Sequence, residues 1–215
     1  MFNKKSYKTI GALLPLVLLA TTWAAFHFFN RQFGEKTGYL SGFVFYWIFW
    51  CTIVPLIFLN KGEIKSLFAV NYSLFRRAKT LHSLCLAIPL LLAYGYAFPK
   101  AISFATIPVL LLSLLLSLVN APLEELLWRG LYLKLFASDK RLYVICSSLG
   151  FAIWHFAPQT IFPNKAPGGQ LSFVAVAFGL GLLFSIVAKN TNSILLTTIS
   201  HILFDFSGLG GRLYC

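Results

Sequence analysis

Charged residues are scarce in this sequence. Of its 215 residues, 58% are hydrophobic and only 11% are charged, and the mean hydropathy is +0.77. Soluble domains carry about 25% charged residues, so this composition excludes an ordinary soluble domain. It is typical of a protein that crosses a membrane several times. Because helices are the usual way for apolar segments of this length to cross a bilayer, we predict an all-α, polytopic transmembrane bundle.

Paired or regularly spaced cysteines are also missing. The four cysteines are scattered along the chain: Cys51, Cys85, Cys146 and Cys215. Their spacing fits neither a metal site nor a disulfide framework, and three of them lie in apolar segments where cysteine usually packs as a small hydrophobe. The sequence also contains no repeat of about 20–50 residues. We therefore expect a single integral-membrane domain over residues 1–215.

Basic residues outnumber acidic residues by 18 to 6, which gives a net charge of +12. They lie between apolar stretches, so we interpret them as topology signals that face anionic lipid headgroups and not as nucleic-acid contacts. The apolar stretches that are long enough to cross, or nearly cross, a bilayer are 10–29, 39–59, 81–98, 102–120, 142–157, 171–188 and 193–207. They predict about seven spans (six to eight).

If the spans alternate and Arg129 is left out as a motif residue, the other basic residues fall unequally on the two sides of the membrane. Twelve fall on one side: Lys4, Lys5, Lys8, Lys61, Lys65, Arg76, Arg77, Lys79, Lys134, Lys140, Arg141 and Lys189. Five fall on the other: Arg31, Lys36, Lys100, Lys165 and Arg212. Because cytoplasmic loops are rich in lysine and arginine, we predict a cytoplasmic N-terminus and a cytoplasmic connector at 60–80. The run 10–29 is long enough to be an uncleaved anchor, which we favour over a secretory signal.

Ionisable side chains in or against the apolar stretches form the main functional signal: Glu124, Glu125, His155, His201 and Asp205. Such residues are costly at membrane depth and indicate a functional site. A polar break at 138–141 predicts an antiparallel hairpin that places Glu124 and His155 at similar depths, counted at ~1.5 Å per residue. The last stretch brings His201 and Asp205, which share one helix face, to a comparable depth. We therefore expect one shared polar site.

The two adjacent glutamates should have different tasks. They differ by ~100° around their helix, so both cannot face one cavity directly. Glu125 and Arg129 are four residues apart with the acid first, the favourable order for a helical ion pair. We therefore expect Glu125 to pair with Arg129 and Glu124 to face the site. Pro122 should kink the helix just before them.

Three short motifs resemble those of a known family. They are EELLWR at 124–129, FAIWH at 151–155 and HILFD at 201–205. In order and spacing they resemble the CAAX prenyl protease 2-like intramembrane glutamic endopeptidases, which include bacterial Abi and bacteriocin-immunity proteins. The resemblance covers residues 103–207, about half of the chain. It implies a bacterial cytoplasmic membrane protein that cleaves a membrane-associated or lipid-modified protein or peptide, with no cofactor.

The resemblance also implies catalytic roles. Glu124 and His155 would activate a water, while His201 and position 205 would stabilise the oxyanion. The remaining motif residues would support the site: Glu125, Arg129 and Phe151. The family's third motif ends in asparagine or aspartate, and this sequence has Asp205 there. The family's asparagine can donate a hydrogen bond to an oxyanion, whereas Asp205 helps only if it is protonated or if it orients His201 instead.

Two other functions fit the same residues. Glu124, His155 and His201 could serve as three zinc ligands of a membrane hydrolase, although no HExxH pair supplies two ligands on one helix face. The residues could also form a buried polar network in a non-catalytic immunity, scaffold or transport protein. Sensitivity to a chelator and the effect of Glu124→Gln would separate these functions from glutamate catalysis.

Overall fold

The computed structural model describes residues 4–69, residue 80 and residues 84–215. These residues form helices and no strand, which confirms the all-α prediction. The helices are α1 Lys4–Phe33, α2 Glu35–Phe58, α3 Lys61–Leu67, α4 Ala87–Ile102, α5 Ile107–Leu135, α6 Lys140–Trp154, α7 Phe156–Gln159, α8 Gly169–Thr191 and α9 Leu195–Ser207.

The helices α1, α2, α5 and α8 are long and apolar enough to cross a membrane, and α4 and α9 are shorter apolar helices. The fold is therefore a helical bundle of the polytopic membrane class, as predicted. The run 142–157 forms most of α6, whose 15 residues span ~22 Å, less than the ~30 Å of a bilayer core. Seven spans remain a prediction, since α4, α6 and α9 are each shorter than a full crossing.

Ion pairs gather the basic connectors at one end of the bundle, which we call the basic end. The ammonium of Lys8 lies 2.9 Å from Asp139 in the turn between α5 and α6. The ammonium of Lys134, near the end of α5, lies 2.7 Å from Glu63 of α3. The opposite end, which we call the distal end, carries the α1–α2 turn, residues 160–168 and the segment after α9. The location of the basic end in the cytoplasm stays a prediction. Residues 70–79 of the predicted connector at 60–80 lie outside the described residues.

The hairpin predicted around 138–141 is present and aligns the motif residues. It joins α5 to α6, with the Asp139 side chain accepting a hydrogen bond from the Leu142 backbone N–H at 3.1 Å. The two helices approach closely where Gly150 faces Trp128, since a β-carbon at Gly150 would lie only 2.4 Å from the indole. This close contact places the end of α6 beside the middle of α5.

The hydrogen bonding of α5 changes within the first motif. An α-helical segment runs from Ile107 to Glu125 with Pro122 inside it, and π-helical hydrogen bonding follows over Leu126–Leu131. Proline removes one helical hydrogen bond, and single π turns occur frequently at functional sites. The glutamates therefore lie where the regular α-helix ends.

An aromatic core fixes α2 against α5 and α6 beneath the site. The rings of Tyr46 and Trp154 stack at 3.8 Å, and the Trp128 indole N–H donates to the Tyr46 hydroxyl at 2.8 Å. All three side chains are fully buried. Because packed, hydrogen-bonded aromatics have little freedom, this core holds the motif-bearing helices in fixed register.

Candidate active site

The three motifs meet inside the bundle, one from each of three helices. Glu124, Glu125 and Arg129 lie on α5 and are at most 1% exposed. His155 follows the last residue of α6, and His201 lies on α9 with 4% exposure. The packing of these helices thus brings together side chains that are far apart in the sequence.

Glu125 lies between a guanidinium and an imidazole. Its Oε1 is 3.0 Å from Arg129 Nη1 and 3.0 Å from His201 Nδ1. The Arg129 guanidinium also lies 4.3 Å above the ring of Phe151, a cation–π arrangement. A buried ion pair offsets its desolvation cost only when several such contacts act together. Glu125, Arg129 and Phe151 therefore form a buried framework behind Glu124.

His201 faces three carboxylates. Besides its bond to Glu125, its Nε2 lies 3.5 Å from Glu124 Oε2 and 3.4 Å from Asp205 Oδ1. These two distances exceed the usual 2.7–3.2 Å of an N–H···O bond, so Nε2 is held only loosely. His201 does not line the cavity described below. In this arrangement His201 lies between Glu124 and Asp205, and Nε2 is the less constrained of its two ring nitrogens.

The hydrogen bond of His155 determines which of its nitrogens is free. Its Nδ1 lies 2.6 Å from the Phe151 carbonyl oxygen. A carbonyl can only accept, so Nδ1 carries the hydrogen and the neutral ring keeps a lone pair on Nε2. The ring packs against Trp154 and Phe173, at centroid distances of 4.9 Å and 5.4 Å. His155 is thus fixed as a hydrogen-bond acceptor at Nε2.

A cavity of about 320 Å³ joins these groups. Glu124, His155 and Asp205 line it together with aromatic and aliphatic side chains from α2, α5 and α9. Glu124 Oε1 is buried and has no hydrogen-bond partner within the described part of the chain. A buried glutamate and an imidazole acceptor that line the same apolar-walled cavity are an arrangement suited to holding and deprotonating a water.

The cavity extends from the glutamate toward the distal end, where Tyr39, Gln159 and Tyr214 line it. On the other side of Glu124 every residue of Leu126–Leu131 is buried. Leu67 of α3 covers that stretch, and its side chain would lie 3.0 Å from a β-carbon at Gly130. The site is therefore covered toward the basic end by these residues and continuous with the cavity toward the distal end.

Asn120 is a site residue that sequence reasoning missed. Its Nδ2 donates to Asp205 Oδ2 at 2.9 Å and to Glu124 Oε2 at 3.2 Å. Its Oδ1 accepts from the Trp47 indole at 2.8 Å. The sequence signal was its i,i+4 spacing to Glu124 on one helix face. Asn120 is neutral, so the signal from ionisable residues in apolar stretches does not include it.

Metal-ligand geometry bears on the zinc alternative. Among the described residues, no group of three or more histidine, cysteine, aspartate or glutamate side chains is arranged to hold a metal ion. The proposed zinc ligands Glu124, His155 and His201 come from three different helices, and His201 already contacts carboxylates through both ring nitrogens.

Comparison with known proteins gives one family match. Residues 106–207 match the family described as type II CAAX prenyl endopeptidase Rce1-like. The matched segment begins at α5 and ends with α9, so it contains all three motifs and the residues around Glu124. No curated protein and no solved structure matches the chain.

Proposed function

Because residues 106–207 place this chain in the CAAX protease-like family, we propose that it is an intramembrane endopeptidase that uses Glu124 to activate water. The observation that carries the proposal is the burial of Glu124 beside a cavity that it lines together with His155 and Asp205. Water attacks the peptide bond directly, so the scheme needs no serine or cysteine nucleophile.

The water is held between Glu124 and His155. Glu124 Oε1 accepts one hydrogen of the water, and the lone pair on His155 Nε2 accepts the other. As the water oxygen attacks the peptide carbonyl, Glu124 takes its proton and later passes it to the departing amine nitrogen. His155 stays neutral throughout and orients the water.

The developing oxyanion is stabilised from α9. His201 lies behind Glu124 and Asp205, which line the cavity, so the bound carbonyl enters between these two acids and the loosely held Nε2 donates to its oxygen as negative charge develops there. Asp205 acts as an anion that orients this ring through its 3.4 Å contact. Glu125 holds the other ring nitrogen at 3.0 Å and keeps the imidazole in place.

The substrate is a membrane-associated protein or peptide. The family acts on prenylated proteins at membranes, and we extend that substrate class to this chain. Apolar residues such as Phe43, Leu116 and Phe204 line the cavity beside the polar groups. Such walls accept apolar side chains or a lipid group, while the few polar groups orient the scissile bond.

A fluorogenic farnesylated peptide ending in a Cys-aliphatic-aliphatic-X sequence tests the proposal. We expect the purified protein in lipid nanodiscs to cleave it, and Glu124→Gln to lose at least ~10²-fold in rate because the base is removed while shape is kept. Glu35→Gln is the matched control, since Glu35 is an exposed glutamate at the start of α2. Normal cleavage by Glu124→Gln would disprove the proposal.

The same assay separates the other functions. Loss of cleavage with a strong chelator and recovery with zinc would assign Glu124, His155 and His201 as metal ligands instead. A wild-type protein that cleaves nothing, together with a Glu124→Gln variant that retains full biological function, would favour a non-catalytic immunity, scaffold or transport role. We expect cleavage that is insensitive to the chelator.

A further inference from the structure

The orientation of the Asn120 amide is fixed by Trp47. An indole N–H can only donate, so the Asn120 atom 2.8 Å from it must be the carbonyl oxygen. The amide nitrogen then faces the carboxylates. The opposite orientation would set two donors against each other and an amide oxygen against two carboxylates. Trp47 therefore determines that Asn120 acts as a donor toward Glu124 and Asp205.

The amide nitrogen has two hydrogens and two carboxylates within reach. One bond, of 2.9 Å, goes to Asp205 Oδ2, and the other, of 3.2 Å, goes to Glu124 Oε2. Two neighbouring carboxylates repel each other, and a shared donor offsets part of that repulsion. Asn120 holds Oε2 of Glu124, and Oε1 receives no hydrogen bond from it.

Asn120 also relates to the aspartate at position 205. The motif that this chain resembles has asparagine or aspartate at that position, and here the side chain is a carboxylate. The amide stands instead at position 120, in direct contact with Asp205. The pair 120 and 205 thus contains one amide and one carboxylate, with the amide on α5 and the carboxylate on α9.

We propose that Asn120, oriented by Trp47, is a positioning residue that holds Glu124 and Asp205 in register for the reaction. It acts through the two carboxylates and does not itself touch the reacting atoms. This inference rests on the proposed function, because the register matters only if Glu124 activates water. It assigns a role to a neutral residue that lies outside the three motifs.

Substitutions with matched controls test the role. Asn120→Leu keeps the branched shape of the side chain and removes both donors, so kcat should fall by about 10- to 100-fold, the loss expected for a hydrogen bond to a charged group, while KM stays within about three-fold. Trp47→Phe should lower kcat by less, because the amide remains but can turn. Trp50→Phe is the control, since its indole N–H donates to Thr21 instead. An unchanged kcat in Asn120→Leu would overturn the inference.

Exchanging the two groups separates positioning from simple packing. Asn120→Asp alone puts a third carboxylate beside Glu124 and Asp205 and should reduce kcat more than Asn120→Leu does. The double variant Asn120→Asp/Asp205→Asn restores one amide and one carboxylate. Its kcat should be at least about ten-fold higher than that of Asn120→Asp alone. If the double variant is no better than Asn120→Asp alone, the two positions do not act as a pair.

A second measurement does not depend on proteolysis. In protein with ¹⁵N-labelled asparagine, the side-chain amide resonances of Asn120, identified by their loss in Asn120→Leu, should shift in Glu124→Gln and in Asp205→Asn. Glu35→Gln should leave them unchanged. Absence of both shifts would refute the contacts. Failure of the wild type to cleave the farnesylated peptide would instead count against the proposed function, so the two failures are distinguishable.

Discussion

Removing the charge of Arg129 should strongly destabilise the fold. The Arg129 side chain is fully buried, lies 3.0 Å from Glu125 and sits over the Phe151 ring at 4.3 Å. In Arg129→Met the buried Glu125 carboxylate keeps only its hydrogen bond with His201 Nδ1 among the contacts described above. Breaking a buried pair by removing one partner costs about 3–5 kcal/mol, because the other charge stays buried without compensation. We expect a loss of that size in the free energy of unfolding.

The double variant Glu125→Gln/Arg129→Met tests the cause of that loss. It removes both charges, yet the glutamine oxygen can still accept from His201 Nδ1, so at least half of the lost stability should return. Lys134→Met is the control, because its partly exposed pair with Glu63 is worth only about 0.2–1 kcal/mol. Denaturing-detergent titrations followed by tryptophan fluorescence measure all of these variants. A loss below about 1 kcal/mol in Arg129→Met would contradict the reasoning.

Two further predictions concern the ends of the bundle. Single-cysteine proteins that contain only Cys215, only Ser117→Cys or only Lys140→Cys are treated with a membrane-impermeant thiol reagent. The reagent should label Ser117→Cys, which lies in the cavity, from the same side as Cys215, and it should label Lys140→Cys from the opposite side. Labelling of Ser117→Cys from the Lys140 side would show that the cavity opens at the basic end. The hydrogen bond from Lys134 lowers the pKa of Glu63 below its usual 4.5. The stability from this pair is therefore present above pH 4.5 and lost as the pH falls through the lowered value, so the free-energy difference between wild type and Glu63→Gln should shrink on acidification.

The sequence predicted the parts of the fold and site that depend on local spacing. The helical hairpin followed from the polar break at 138–141, and the contact of Glu125 with Arg129 followed from their i,i+4 order. The contact between Glu125 and His201 could not be predicted. It joins residues that are 76 positions apart and depends on how α9 packs against α5.

Asn120 and the cavity walls depend on contacts between distant segments. Trp47 contacts Asn120 across 73 sequence positions, and no periodicity within α2 indicates that its indole points at α5. The position of His201 behind the cavity, not on its wall, likewise depends on the packing of α9 against α5. Sequence spacing placed these residues at similar depths but could not show which of them face the cavity.

The activation of water by Glu124 is tested most directly by kcat and KM for wild type and Glu124→Gln, measured on the farnesylated peptide with a strong chelator present. Unfolding titrations of both proteins establish that the variant is folded. We predict that kcat falls at least ~10²-fold while KM changes little, because the substitution removes the base and leaves the cavity intact. A folded Glu124→Gln variant with wild-type kcat would contradict the account.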